Sequence, residues 1–246
     1  MVPLLWLASV QLPLQPALKS PLKAVLFDLD GTLVDSAPDL IGALNRLRQT
    51  LDLPEIESAP LREVAGRGAV AILKTGLPEM DEAQREAFRD RFLDDYQAHC
   101  WQKSHVFDGV PDVLNCIEHS GLAWGIVTNK LMRLAQPVIE QAGWQRRCGS
   151  LIAGDSTSNP KPAPDPIVLA CQQLGVRPEE ALFVGDDLRD IQAGRAAGCK
   201  TAAAHWGYIA ADQCASDWRA DLDFTSAREL LSWLQVNLAR PTGVAQ

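Results

Sequence analysis

No stretch of about 20 consecutive apolar residues, the length a membrane-spanning helix needs, occurs in this 246-residue sequence, and a membrane partner is not expected. No run of Lys and Arg interrupts its acidic balance of 23 basic to 31 acidic side chains, a formal net charge of −8. That disfavours nucleic acid as a partner. Cysteine is sparse: Cys100, Cys116, Cys148, Cys171, Cys199 and Cys214 lie far apart with no CxxC pair. A zinc site of the usual spacing is therefore absent, and the pattern reads as reduced, mostly buried thiols of a cytoplasmic protein. The four histidines show no ligand spacing and are read as structural or surface residues. Trp124, Trp144, Trp206 and Trp218 are read as packing residues rather than base-stacking platforms. There is no internal repeat and no low-complexity segment. What is present is 47% hydrophobic and 22% charged, a globular composition of one to two domains with enough chain to bury a core without disulfides.

Residues 1–18 carry no charge, and Leu4, Leu5, Trp6 and Leu7 make a short apolar cluster. A secretory signal would place basic residues before an unbroken apolar stretch. Here the first basic residue is Lys19, and Pro3, Pro13, Pro16, Gln11 and Gln15 break the stretch. Residues 1–19 are read as a tail outside the fold, and the body of the protein is expected to begin near residue 20.

From there the run Ala24–Phe27 has the short apolar character of a buried strand. Helical periodicity follows at Leu40, Ala43, Leu44, Leu47 and Leu51, then around Val64–Leu73, then from Asp81 to Trp101, with no strand between about 36 and 105. Beyond that point strands at Trp124–Val127, Leu151–Ala153, Leu182–Val184 and Thr201–Ala204 alternate with helices at Val110–Glu118, Val138–Ala142, Pro164–Leu174, Asp190–Ala197 and Ser226–Leu238. The expected fold is α/β: a Rossmann-like parallel sheet with helices on both faces, built from 20–35 and 105–246, with a small all-helical cap, 36–104, inserted after the first strand.

Ligands of open parallel sheets bind at the carboxyl ends of the strands. The polar residues there are Asp28 and Asp30, then Thr128 and Asn129, then Asp186, Asp187 and Asp190, with Lys161 in a loop between Pro160 and Pro162. Carboxylates converging on one rim repel unless a hard divalent cation neutralises them, and Mg²⁺ is the natural candidate. Lys161, the Thr128 hydroxyl and loop N–H groups suit a phosphoryl dianion beside that cation. Lys130 is read either as a substrate ligand or as a solvated lysine. Arg67 is read either as the fork for a substrate carboxylate or as an exposed loop residue, and Asp187 as either a neighbour of the metal ligands or a loop acid.

The run Asp28-Leu29-Asp30-Gly31-Thr32-Leu33-Val34-Asp35-Ser36 resembles the first motif of the haloacid dehalogenase-like phosphohydrolases. Thr128-Asn129, Lys161-Pro162-Ala163-Pro164 and Gly185-Asp186-Asp187-Leu188-Arg189-Asp190 resemble the second, third and fourth, in order. The resemblance spans about residues 22–235, and the insert is similar to the cap of the branch containing phosphoglycolate phosphatases and β-phosphoglucomutases. Trp124–Lys130, Leu182–Gly198 and Thr201–Ala204 leading to Gly207-Tyr208-Ile209 are similar to bacterial N-acetylmuramic acid 6-phosphate phosphatases, with Leu131 replacing a proline of that group. The resemblance implies Asp28 as nucleophile and Asp30 as general acid and base. It implies metal ligation by the Asp28 and Asp186 side chains and the Asp30 backbone carbonyl, with Asp190 holding a metal-bound water. Thr128, the Asn129 N–H and Lys161 are implied to stabilise phosphoryl oxygens, and Asn129, Lys130 and Arg67 to meet the substrate. The expectation is a Mg²⁺-dependent phosphomonoesterase, monomer or homodimer, acting on a small phosphorylated metabolite. The alternatives are a sugar phosphomutase and a non-catalytic binder of phosphorylated ligands; the second would be expected to have lost Asp28, Asp30 or Asp186, and this chain keeps all three.

Overall fold

The computed structural model describes residues 21–238; the expected tail at 1–19 lies outside the described residues. Strand β1, Ala24–Phe27, leads into the two-residue strand β2, Val34–Asp35, and then helix α1, Ala37–Gln49. Helices α2 (Ser58–Arg62), α3 (Ala69–Gly76) and α4 (Glu82–His99) follow, with a 3₁₀ turn at Ala65–Arg67, before the chain returns through β3, His105–Val106. The remainder is α5 (Val110–His119), β4 (Ala123–Val127), α6 (Met132–Gln141), β5 (Ser150–Ile152), α7 (Asp165–Leu174), β6 (Ala181–Gly185), α8 (Leu188–Ala197), β7 (Lys200–Ala204), β8 (Leu222–Phe224) and α9 (Ala227–Leu238).

Six strands form one parallel sheet in the order β5-β4-β1-β6-β7-β8. The centre of that sheet is buried on both faces, which is why β1 reads as an unbroken apolar run. Val25 and Phe27 pack on one face with Val113, Leu114, Ile117, Leu230 and Leu234 of α5 and α9. Ala24 and Leu26 pack on the other with Ile167, Ala170 and Ala193 of α7 and α8. The register Phe27↔Ile126 and Phe27↔Val184 brings the ends of β1, β4 and β6 level, so the residues just past them share one edge.

The chain leaves and re-enters the sheet through an antiparallel ribbon, Val34↔Val106 and Asp35↔His105. The helices between its strands close on the same apolar cluster through Leu44, Leu61, Ile72, Phe92 and Tyr96. Buried Asp39 in α1 pins the returning chain: its carboxylate accepts from the Lys103 and Ser104 N–H groups and the Ser104 hydroxyl at 2.7–3.1 Å.

The expected helices and sheet strands all appear, with three local differences. The single helix expected around Val64–Leu73 is broken by the 3₁₀ turn and by Gly68 at φ +84°, which puts a loop where the periodicity ran on. Helix α6 begins at Met132 rather than Val138: Pro137 sits inside it without an N–H to donate, and burial of Leu134, Ala135, Val138 and Ile139 along one face offsets that cost. Strands β2, β3 and β8 are two or three residues long, too short to show alternation. Among the described residues no helix is long and apolar enough to cross a membrane, and all six cysteines are free thiols.

Asp39→Ala should cost about 3 kcal/mol in urea unfolding, because two backbone N–H groups and a hydroxyl lose a charged acceptor in a buried place. A loss below about 1 kcal/mol would mean that the returning chain is held by the ribbon alone.

Candidate active site

The edge where β1, β4 and β6 end opens into a cavity of about 260 Å³, roofed by the inserted helices. Asp28 follows β1, Thr128 follows β4 and Asp186 follows β6. One carboxylate oxygen from each of Asp28, Asp186 and Asp190 lies within 4.8 Å of the other two. This all-oxygen donor set fits a hard divalent cation. The cluster is held from behind. Asp186 Oδ1 accepts from the Thr32 hydroxyl at 2.6 Å and Oδ2 from the Tyr208 N–H at 2.8 Å. Two glycines make the approach possible: a Cβ at Gly31, where φ is +86°, or at Gly207 would come within 2.2 Å of Asp186 atoms.

Lys161 bridges two of these acids, Asp28 and Asp190. Its Nζ is 2.9 Å from Asp28 Oδ1 and 2.7 Å from Asp190 Oδ1, and it donates to the Val127 carbonyl at 2.7 Å. Its backbone is clamped by Asn129, whose amide donates to the Lys161 carbonyl at 2.9 Å and accepts from its N–H at 3.0 Å. The Asn129 side chain, expected against substrate, is thus committed to positioning Lys161. Burial opposes the charge on Lys161, but Asp190 and Asp28 outweigh it and hold the ammonium above the ordinary lysine range. Burial and the charges of Asp28 and Asp190 push Asp186 well above the carboxylate range. Burial likewise pushes Asp190 up to about 7 against the pull of Lys161.

Asp30 takes a separate position. Its carboxylate sits outside the three-acid cluster, 3.0 Å from Lys130 Nζ through both oxygens, and accepts from the Ser36 hydroxyl at 2.5 Å. The reading of Lys130 as solvated is overturned: its side chain is 6% exposed, and its ammonium lies 4.4 Å above the ring of Tyr96 in α4. Asp187 caps α8 and binds Arg189 through both oxygens at 2.8 and 2.9 Å. These hydrogen bonds overcome the effect of burial and keep its carboxyl below the usual range. Arg67 lines the cavity mouth with its guanidinium 3.7 Å from exposed Asp212.

Sequence reasoning did not single out Thr32, Ser36, Tyr96, Arg189 or Tyr208. Thr32, Ser36 and Arg189 lie inside the quoted motifs, so their place in the first and fourth motifs was a usable signal. Arg189 also reaches the insert, donating to the Gly66 carbonyl at 2.8 Å. Tyr208 lies in a quoted stretch as well, but nothing local ties it to Asp35 and Asp186, and no local signal marks Tyr96; both arrive from distant elements.

Protons and a cation compete for this cluster. The folded state holds protons on Asp190, pushed up to about 7, and on Asp186 at pH values where the unfolded chain has released them, so the cation-free protein carries a destabilising contribution that is absent well below about pH 4 and is still growing as the pH rises through about 7. A bound divalent cation removes it. The gain in Tm on adding such a cation should therefore be larger at pH 8 than at pH 5.5 in thermal unfolding; equal gains would show that the cation binds elsewhere.

Residues 25–204 match the family model described as haloacid dehalogenase-like hydrolase. The chain is 44% identical over 214 residues to the N-acetylmuramic acid 6-phosphate phosphatase of Pseudomonas aeruginosa, covering 87% of this chain and 95% of that protein. It is 45% identical over 200 residues to a phosphoglycolate phosphatase of Xanthomonas campestris pv. campestris, covering 81% and 90%. Among solved structures, a protein of Haemophilus somnus described as a predicted phosphoglycolate phosphatase superimposes with a TM-score of 0.79 at 27% identity, over 88% of this chain and all of that one. A match over most of the length, to proteins that share both the sheet and the inserted helices, settles the kinship: the chain belongs to the haloacid dehalogenase-like hydrolases and is a phosphatase.

Proposed function

We propose that this phosphatase is a magnesium-dependent phosphomonoesterase that works through an aspartyl-phosphate on Asp28. Its substrate is a small carboxylated phosphate, N-acetylmuramic acid 6-phosphate in the first place and 2-phosphoglycolate in the second. The observation that carries the reading is the convergence of Asp28, Asp186 and Asp190, two of which, Asp28 and Asp190, share the Lys161 ammonium. The names of the two relatives supply the substrates.

Magnesium held by the Asp28 and Asp186 side chains and the Asp30 backbone carbonyl, with Asp190 behind it, would supply the positive charge that lets a carboxylate and a phosphoryl dianion meet. The Asp28 oxygen bonds to phosphorus as the bond to the ester oxygen breaks. Asp30 delivers a proton to that leaving oxygen, then takes one from the water that hydrolyses the aspartyl-phosphate. Lys161 and the Thr128 hydroxyl hold the equatorial oxygens, with Lys161 kept in place by Asn129. Residues 36–104 act as the cap that shapes the leaving-group side of the cavity, over a core made of 20–35 and 105–246.

Asp28→Asn should abolish phosphate release while leaving circular dichroism unchanged, and a chelator should do the same reversibly, with Mg²⁺ restoring the rate. Turnover by Asp28→Asn would remove the nucleophile. With the two substrates compared side by side, kcat/KM should favour N-acetylmuramic acid 6-phosphate by about a hundredfold, nearly 3 kcal/mol in transition-state binding. The opposite ratio would make 2-phosphoglycolate the substrate.

A further inference from the structure

The cations that line the cavity are not equivalent. Lys161 is shared by Asp28 and Asp190, Lys130 is held by Asp30, and Arg189 grips Asp187 with two parallel hydrogen bonds. Arg67 faces Asp212. Arg89, on the cavity face of α4, resembles Arg67 in facing one exposed acid, Glu86, 3.5 Å from its Nη1, and differs in that its Nε is buried without a hydrogen-bond partner among the described residues. A buried donor without a partner is rare in folded proteins, and a planar fork whose one carboxylate is solvent-exposed and 3.5 Å away is well suited to bind a second one.

The position of Arg89 along α4 sets a distance. Tyr96, seven residues on and so on the same face of the helix, stacks over Lys130 beside Asp30, where the ester oxygen leaves. Seven residues at about 1.5 Å each separate the two positions by roughly 10 Å. Between them Phe92 and Leu93 present a buried apolar shelf, and Val70, 64% exposed, faces the same cavity from α3. At the shelf's inner end the Tyr96 hydroxyl is buried beside the Lys130 ammonium. A leaving group that uses all of this carries a hydroxyl or amide near Tyr96, an apolar body across the shelf, and an anion at Arg89.

We propose that Arg89 is the carboxylate-recognising residue of the cavity, and that the preferred substrate is a phosphomonoester whose carboxylate lies across a sugar-sized body from the ester oxygen. In 2-phosphoglycolate only two bonds, about 2.5 Å, separate that oxygen from the carboxyl carbon, too short a span to use both ends of the shelf. The inference rests on the phosphomonoesterase reading given above.

The test compares N-acetylmuramic acid 6-phosphate with N-acetylglucosamine 6-phosphate, the same sugar without its lactyl carboxylate, and follows p-nitrophenyl phosphate as a generic ester. Wild type should prefer the carboxylated sugar by about tenfold or more in kcat/KM. Arg89→Met should collapse that preference to within about threefold, mainly through KM, and Arg89→Lys should restore only part of it. Arg67→Met should leave the preference standing. Arg89→Met slowing both sugars equally would overturn the inference, since a merely structural residue would act that way. So would a preference that survives in Arg89→Met or disappears in Arg67→Met. If wild type cleaves p-nitrophenyl phosphate but shows no preference between the sugars, Arg89 fails while the phosphatase reading stands. If no ester releases phosphate, the reading itself falls, and Arg89 with it.

Discussion

Three carboxylates crowd into the carboxyl edge of a parallel sheet, and one buried lysine is shared between two of them. Repulsion among Asp28, Asp186 and Asp190 is the constraint that shapes their surroundings. Lys161 neutralises part of it, the Thr32 hydroxyl and the Tyr208 N–H stabilise Asp186, and the Asn129 amide fixes the backbone that aims Lys161. Glycines at 31 and 207 exist at this edge because nothing larger fits beside Asp186. A residual excess of negative charge is what would give the cluster affinity for a hard cation.

The catalytic edge and the inserted helices are joined by a few contacts of known chemistry. Lys130 reaches from the loop after β4 to pair with Asp30 and stack under Tyr96. Arg189 grips Asp187 on its own helix and the Gly66 carbonyl in the insert. Arg62 of α2 binds Asp35 of the ribbon through both oxygens, and the Tyr208 hydroxyl donates to the same carboxylate. Residues beside the reacting atoms therefore also hold the roof, so occupancy of the cavity and the position of the insert are coupled through the same side chains.

Much of this was legible in the sequence. The central strands show as apolar runs because both of their faces are covered, and the acids show because each follows such a run directly. Lys161 was visible from its place between two prolines. The fate of Lys130 was not, since what buries it is Tyr96, more than thirty residues away in a helix whose polar composition resembles a solvated surface. The same helix hid its cavity face: nothing in its sequence sets Arg89, Phe92, Leu93 and Tyr96 apart as one group, and only the packing of α4 over the sheet edge brings them to the cavity. The broken helix at Ala65–Gly68 was missed because its apolar periodicity continues across the break.

The ribbon of β2 and β3 has a consequence for how such a protein can change over generations. Its paired strands bring the first and last residues of the insert to within the spacing of neighbouring strands, about 5 Å. Seventy residues can thus be lengthened, shortened or exchanged between two fixed points without altering the register of the sheet or the placement of Asp28, Asp186, Asp190 and Lys161. The fold sets the insert between two fixed points beside the edge that carries the acids, so the roof can vary in length while the contacts it must keep reduce to a few, such as Tyr96 over Lys130 and the Gly66 carbonyl to Arg189.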